Sequence, residues 1–210
     1  MTQVLELEHP LIKHHLTRLR DRTTPPAEFR QLIHRLATLL AVEATSDLGL
    51  QHLTVKTPLQ EAPGYRLYER IGIVPILRSG LGMVDPVLDM LPQAEVWHLG
   101  LYRDETTALP VEYYSKLPNQ SPVDLAFVLD PMLATGGSLA SACNALRAWG
   151  VKRIKLLSII ASPEGIQALV SEFPEVRIYV CAVDERLNDQ KFIVPGLGDA
   201  GDRSFNTHSE

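Results

Sequence analysis

The sequence predicts an α/β fold: a doubly wound, mainly parallel five-stranded sheet with flanking helices, a helical addition before it and a glycine-bearing tail after it. Three observations predict it. From Ile71 onward, short apolar runs rich in β-branched residues alternate with stretches of helical pattern, which is the rhythm of strand-helix-strand units. The runs are apolar throughout rather than every second residue, as in strands buried on both faces. The chain has 210 residues, 45% of them hydrophobic and 21% charged, a size that buries a full core without a disulfide or metal and a composition unlike disordered or fibrous chains.

In chain order, Leu11, Ile12, Leu16 and Leu19 suggest a short helix with Lys13, Arg18 and Arg20 on a solvated side. Thr24, Pro25, Pro26 and Glu28 form a helix start, after which Phe29, Leu32, Ile33, Leu36, Leu39 and Leu40 recur on one face. Strands are expected at 71–77, 95–101, 123–129, 153–161 and 177–183, and helices at 82–91, 137–149 with Gly150 as C-cap, and 163–173. Residues 102–122 form a long polar connection containing Asp104, Glu105, Tyr113, Tyr114 and Lys116, of a length usually functional or mobile. No repeat or linker divides the chain. It reads as one domain: 1–70 with N-terminal helices and first strands, 71–187 as the α/β core, 188–210 as the tail.

Charge and composition exclude several classes of function. Lys and Arg number 20 against 25 Asp and Glu, a net charge of -5, so no global positive field favours nucleic acid or anionic lipid. The longest uncharged stretch, 131–146, is too short and polar to span a bilayer. The N-terminus mixes acids into its first residues, unlike a secretory signal, and Cys143 and Cys181 lie far apart, so a reducing cytoplasm is expected. The seven histidines show no metal-ligand spacing, and both cysteines fit core positions.

In such sheets ligands bind beyond the carboxyl ends of the strands. One segment there carries chemistry: a strand through Leu129, the loop Asp130-Pro131-Met132-Leu133-Ala134-Thr135-Gly136-Gly137-Ser138, then a helix from Leu139. A small, hydroxylated, glycine-bearing loop at a helix start turns backbone N–H groups toward an anion, where the helix dipole favours negative charge. Asp130 cannot itself bind phosphate, but it can accept from sugar hydroxyls or hold metal-bound water. Nest and carboxylate together suggest a phosphorylated sugar.

These nine positions resemble the signature loop of the phosphoribosyltransferases that use 5-phosphoribosyl-1-diphosphate (PRPP). Many members carry two adjacent acids where this chain has Asp130-Pro131; the Asp-Pro-Met form is similar to the uracil branch. Gly72 to Met83, with Arg78 after the strand, is similar to the family's pyrophosphate loop, and a guanidinium suits phosphate oxygens. Tyr102-Arg103-Asp104-Glu105 resembles the flexible loop, with Arg103 a second pyrophosphate contact and the loop a lid that keeps water out. In the resemblance the tail is a hood over the base: Ile193, Gly198 and Ala200 would offer backbone groups to uracil, with Asp199 approaching the PRPP side. The implied catalytic residues are Asp130, Arg78 and Arg103, and PRPP would also meet Pro131, Met132, Leu133, Ala134, Thr135, Gly136, Gly137 and Ser138. The resemblance implies Mg2+ carried by PRPP, with Asp130 reaching it through water rather than as a direct ligand. It implies a homo-oligomer, a dimer or larger, and raises GTP as an effector. The expected reaction converts uracil and PRPP to UMP and pyrophosphate.

Backbone recognition also explains base choice. Uracil presents an acceptor at O4 and a donor at N3, cytosine the reverse, and each buried polar group left unpaired costs about 1 to 3 kcal/mol. Two rival functions fit the sequence less well. A serine hydrolase would use Ser138 with Asp184 or Asp199 and His208, but eight residues separate Leu129 from Ser138, whereas a nucleophile elbow turns straight off its strand. A regulator with a PRPP fold binding RNA or nucleotides would need a basic face that the acidic balance does not favour. Gly196, Gly198 and Gly201 fit the spacing G-x-G-x-x-G, yet without a following helix or room for a strand-helix-strand unit a dinucleotide site is not expected.

Overall fold

The computed structural model describes residues 3–103, 110–115, 117 and 121–207, the side chains of 101–115 excepted. The chain opens with β1 (Val4–Glu6), α1 (Pro10–Arg20) and α2 (Pro26–Ala44). The His9 side chain accepts from the Leu11 N–H and so caps α1. Phe29, Leu32, Ile33, Leu36 and Leu40 of α2 are buried, as their spacing requires. The first strands of the N-terminal region are β2 (Leu50–Lys56) and β3 (Glu61–Leu67), an antiparallel hairpin separate from the central sheet.

The α/β core follows as β4 (Ile71–Leu77), a 3-10 turn (Ser79–Met83), α3 (Val84–Met90), β5 (Glu95–Val96), β6 (Leu99–Arg103), β7 (Pro110–Ser115), β8 (Leu125–Leu129), β9 (Met132–Leu133), α4 (Gly137–Trp149), β10 (Arg153–Ala161), α5 (Pro163–Glu172) and β11 (Arg177–Val183). The tail holds the two-stranded β12 (Arg186–Leu187) and β13 (Ile193–Val194), then α6 (Ala200–Phe205). Among the described residues the central sheet runs β1-β11-β10-β8-β4-β6-β7, with β5 also on β4 and β9 on β10. Its pairings are parallel except β6 with β7.

The five expected strands form the centre of this sheet, and the chain extends it by β1 on one edge and β7 on the other. The run at 95–101 divides into β5 and β6. Part of the polar connection at 102–122 is β7, folded back on β6. A short helix, α6, begins inside the Gly196-Gly198-Gly201 run, where no helix was expected. Among the described residues it completes no strand-helix-strand unit.

The layers are those of a doubly wound domain. Phe29, Ile33, Leu36, Ile73, Phe127 and Leu157 pack on the face covered by α1 to α3; Val74, Val128, Leu139, Cys143, Leu156 and Phe173 pack on the face covered by α4 and α5. Lys155, buried in β10, donates to the Ala44 carbonyl at 2.5 Å and pairs with Asp47, fastening the end of α2 to the sheet. No helix among the described residues is long and apolar enough to cross a membrane. Beyond the carboxyl ends of β4, β8, β10 and β11 stand Arg78, Asp130, Ser162 and Asp184, so parallel pairing gathers four polar side chains at one end of the sheet.

Candidate active site

The loop after β8 closes around a cavity of about 70 Å³ lined by Asp130 and by residues 132–139. Gly136 caps α4 with φ +82° and no side-chain hydrogen bond. The first N–H groups of a helix have no partner within it, so the start of α4 faces this cavity with donors and the positive end of its dipole. The expected segment is thus a tight loop at a helix start, with Pro131 buried and Thr135 exposed.

Its support comes from residues that the sequence reading passed over. Ser162, N-cap of α5, donates through Oγ to the Ala134 carbonyl at 2.6 Å and accepts the Gly165 N–H at 2.9 Å. A Cβ on Gly165 would lie 2.2 Å from the Ala134 oxygen, so the start of α5 presses directly on the loop. The available signal was a glycine in the first turn of a helix, where a weak helix former needs a reason.

Asp130 is buried, and its Oδ1 accepts from Ser79 Oγ at 3.2 Å and from the Met132 N–H at 3.3 Å. Burial pushes its carboxyl up to about 7, with Asp199 adding repulsion and the two hydrogen bonds opposing the rise. The group therefore changes charge near neutrality. Ser79, from the turn after β4, is a second residue whose contact with the site no sequence signal announced.

Arg78 is exposed, with Nη2 at 3.1 Å from Asp202 Oδ1 and Nη1 at 3.5 Å from Thr207 Oγ1, so the loop after β4 touches the tail. Asp199 caps α6, accepting the Asp202 N–H at 2.8 Å. Gly198 is exposed with φ +79°, whereas Ile193 and Ala200 are buried. Beside them opens a cleft of about 380 Å³ between Gly198, Asp199, Asp202, Arg203 and Thr207 of the tail and Arg22, Thr24 and Pro26 of the α1–α2 connection. Arg103 ends β6, but its side chain and residues 104–109 of the expected lid lie outside the described residues.

The structure brings Asp130, Arg78, the anion loop and the tail together at one end of the sheet. It does not assemble a hydrolase triad among the described residues. Asp184 is committed to Arg20 and to the Gly196 N–H, Asp199 is a helix cap, and His208 lies outside the described residues. Both cysteines are buried, and burial pushes the Cys143 thiol up to about 12 and the Cys181 thiol higher still.

A family model described as uracil phosphoribosyltransferase matches residues 6–207. The chain belongs to this family. It is 58% identical over 207 residues to the uracil phosphoribosyltransferase of Roseiflexus sp. strain RS-1, covering 99% of this chain and 100% of that protein. Among solved structures it is similar to the AQ2163 protein from Aquifex aeolicus, with TM-score 0.93 and 39% identity over 99% of this chain and 100% of that one. The adenine phosphoribosyl transferase from Trypanosoma brucei shares the fold, with TM-score 0.58 and 11% identity over 95% of this chain and 89% of that one. The alignment with the family model includes the anion loop, the Arg78 turn and the tail, and it also takes in the N-terminal helices, which the sequence motifs had left less marked.

Proposed function

We propose that this member of the uracil phosphoribosyltransferase family transfers the phosphoribosyl group of PRPP to uracil, releasing pyrophosphate and forming UMP. The observation that carries this reading is the cavity at the start of α4, lined by helix-start N–H donors, with the buried Asp130 carboxylate on its wall. The 5′-phosphate takes the N–H groups of residues 135–139. Asp130 accepts from the ribose hydroxyls, and Arg78 meets the pyrophosphate, with Arg103 assigned the same task from the lid. The bond from uracil N1 to the anomeric carbon forms as the bond from that carbon to pyrophosphate breaks, the pyrophosphate leaves with the bonding electron pair, and the N1 proton passes to it through water. Positive charge develops on the ribose, so catalysis rests on positioning and on fixed charges.

Phosphoribosyltransferases generally use Mg2+ with PRPP. The residues here fit that partner: Asp130 supplies a hard oxygen beside the nest. Mg2+ keeps much of its water and binds largely through substrate oxygens; when bound it neutralises leaving-group charge. Asp130 would orient its waters.

The base lies under the hood, read by main-chain groups of Ile193, Gly198 and Ala200, with Asp199 toward PRPP. Gly198→Val places a β-branched residue at φ +79°, which L residues rarely adopt. Uracil turnover should be lost in this variant while PRPP binding, followed by calorimetry, stays near the parent's; retained uracil turnover would remove Gly198 from the hood.

Asp130 accepts from both hydroxyls of a diol most strongly when ionised, since protonation turns one of its oxygens into a donor, so PRPP binding releases its proton below pH 7. KM for PRPP should fall about tenfold per pH unit up to about pH 7 and then level off. Titration of PRPP itself also contributes, so the profile is compared with that of Asp130→Asn; identical slopes would contradict the assignment.

The hairpin of β2 and β3 exposes Leu50, Val55, Leu59 and Tyr65, and such a surface supports a homo-oligomer. A cytoplasmic location and a GTP effector complete the reading. Incubating the protein with PRPP, Mg2+ and a panel of bases, scored by pyrophosphate release, tests it: release with uracil alone is expected, and none with uracil would overturn it.

A further inference from the structure

The tail is mounted on the N-terminal helices by guanidinium groups that grip main chain. Arg30 of α2 donates to the Ser204 carbonyl at 2.8 Å. Arg203, stacked 4.3 Å from the centre of the Phe29 ring, donates to the carbonyls of Leu19, Asp21 and Leu197. The tightest of these mountings sits two residues before Gly198. Arg20, the last residue of α1, meets Asp184 through both guanidinium ends, Nη2 to Oδ1 at 2.5 Å and Nη1 to Oδ2 at 2.8 Å. The same Nη1 reaches the Gly196 carbonyl at 2.7 Å, while Asp184 Oδ2 accepts the Gly196 N–H at 2.9 Å. One ion pair thus satisfies both polar groups of a single buried residue. Gly196 has φ +67°, and a Cβ there would stand 2.1 Å from the Ile193 carbonyl oxygen, so the turn is closed on that side as well.

A buried ion pair contributes little net stability compared with well-packed apolar residues. What this pair supplies is orientation. Asp184 is 4% exposed and Arg20 24%, so neither is shielded by bulk water from its partner, and only a planar fork reaches two carboxylate oxygens and a carbonyl at once. Recognition of a base by main-chain groups tolerates little rotation of the peptides that carry them. We infer that Arg20 and Asp184 are positioning residues for base binding, holding the 193–200 turn in the register that its backbone contacts require. This rests on the uracil reading above, and neither residue touches the base in it.

Arg20→Lys keeps the charge and loses the fork; Asp184→Asn keeps the shape and loses the charge. Both should raise KM for uracil by about tenfold or more while KM for PRPP stays within about twofold. In the unsubstituted protein without ligands, the Gly196 amide should exchange with solvent deuterium far more slowly than the Gly198 amide. An unchanged KM for uracil in either folded variant, an equal rise for both substrates, or rapid exchange at Gly196 would overturn the inference. The exchange measurement decides even if neither variant folds. Absence of uracil turnover in the parent would instead overturn the functional reading itself, with slow Gly196 exchange telling the two failures apart.

Discussion

Asp130→Asn should lower kcat/KM for PRPP by about 10²- to 10³-fold, the usual cost of removing one fixed polar group that acts in the transition state, and should leave the protein more stable than the parent at pH 8. The two effects share one cause. Burial raises the Asp130 carboxyl from the ordinary 3.8 of an aspartate to about 7, so above pH 7 the folded state carries a charge that the unfolded chain solvates better. At about 1.4 kcal/mol per pKa unit, that is a cost of about 4 kcal/mol, bounding what the neutral amide can recover. Between pH 4 and 7 the folded protein binds a proton that the unfolded chain releases, so parental stability falls as pH rises through that window and is flat above it. The advantage of the variant should accordingly fade toward pH 4. Denaturant unfolding at both pH values, beside steady-state kinetics, checks both halves; parental kinetics, or a variant less stable at pH 8, would remove Asp130 from this role.

Gly165→Ala should weaken PRPP use by about tenfold or more, although Gly165 meets no substrate in this reading. A methyl group there would stand 2.2 Å from the Ala134 oxygen and 3.0 Å from its carbonyl carbon. Backbone must move to admit it, and the backbone that moves belongs to the anion loop. Overpacking of this kind costs about 1 to 3 kcal/mol in stability, so the variant should still fold. Binding of ribose 5-phosphate, measured by calorimetry, separates the loop from the rest of the site: it should weaken in parallel with PRPP. Unaltered binding would show that the loop does not depend on its contact with α5.

What was legible in the sequence was local. The anion loop is a run of adjacent residues whose strand, acid, glycines and following helix each leave a mark, and α4 ends at Gly150 as expected. The α2 face was legible because burial repeats at helical spacing. What escaped depends on residues far apart in the chain. Arg20 meets Gly196, Arg30 meets Ser204 and Arg203 meets Leu19, yet in the sequence Arg20 reads as part of a solvated basic face. Ser79 and Ser162 become informative only once parallel strands bring their loops beside Asp130 and Ala134. The β2–β3 hairpin was also faint: both strands are largely exposed, and β3 contains Pro63 and Gly64, which weaken a strand signal.

The guanidinium mountings bear on how base preference could be exchanged between members of this fold. In the proposed reading, grafting a foreign C-terminal segment onto residues 1–187 would bring new base contacts but separate them from the arginines of the first two helices that aim them. A working chimera should therefore require the first thirty residues and the last twenty to come from one parent, as a matched pair.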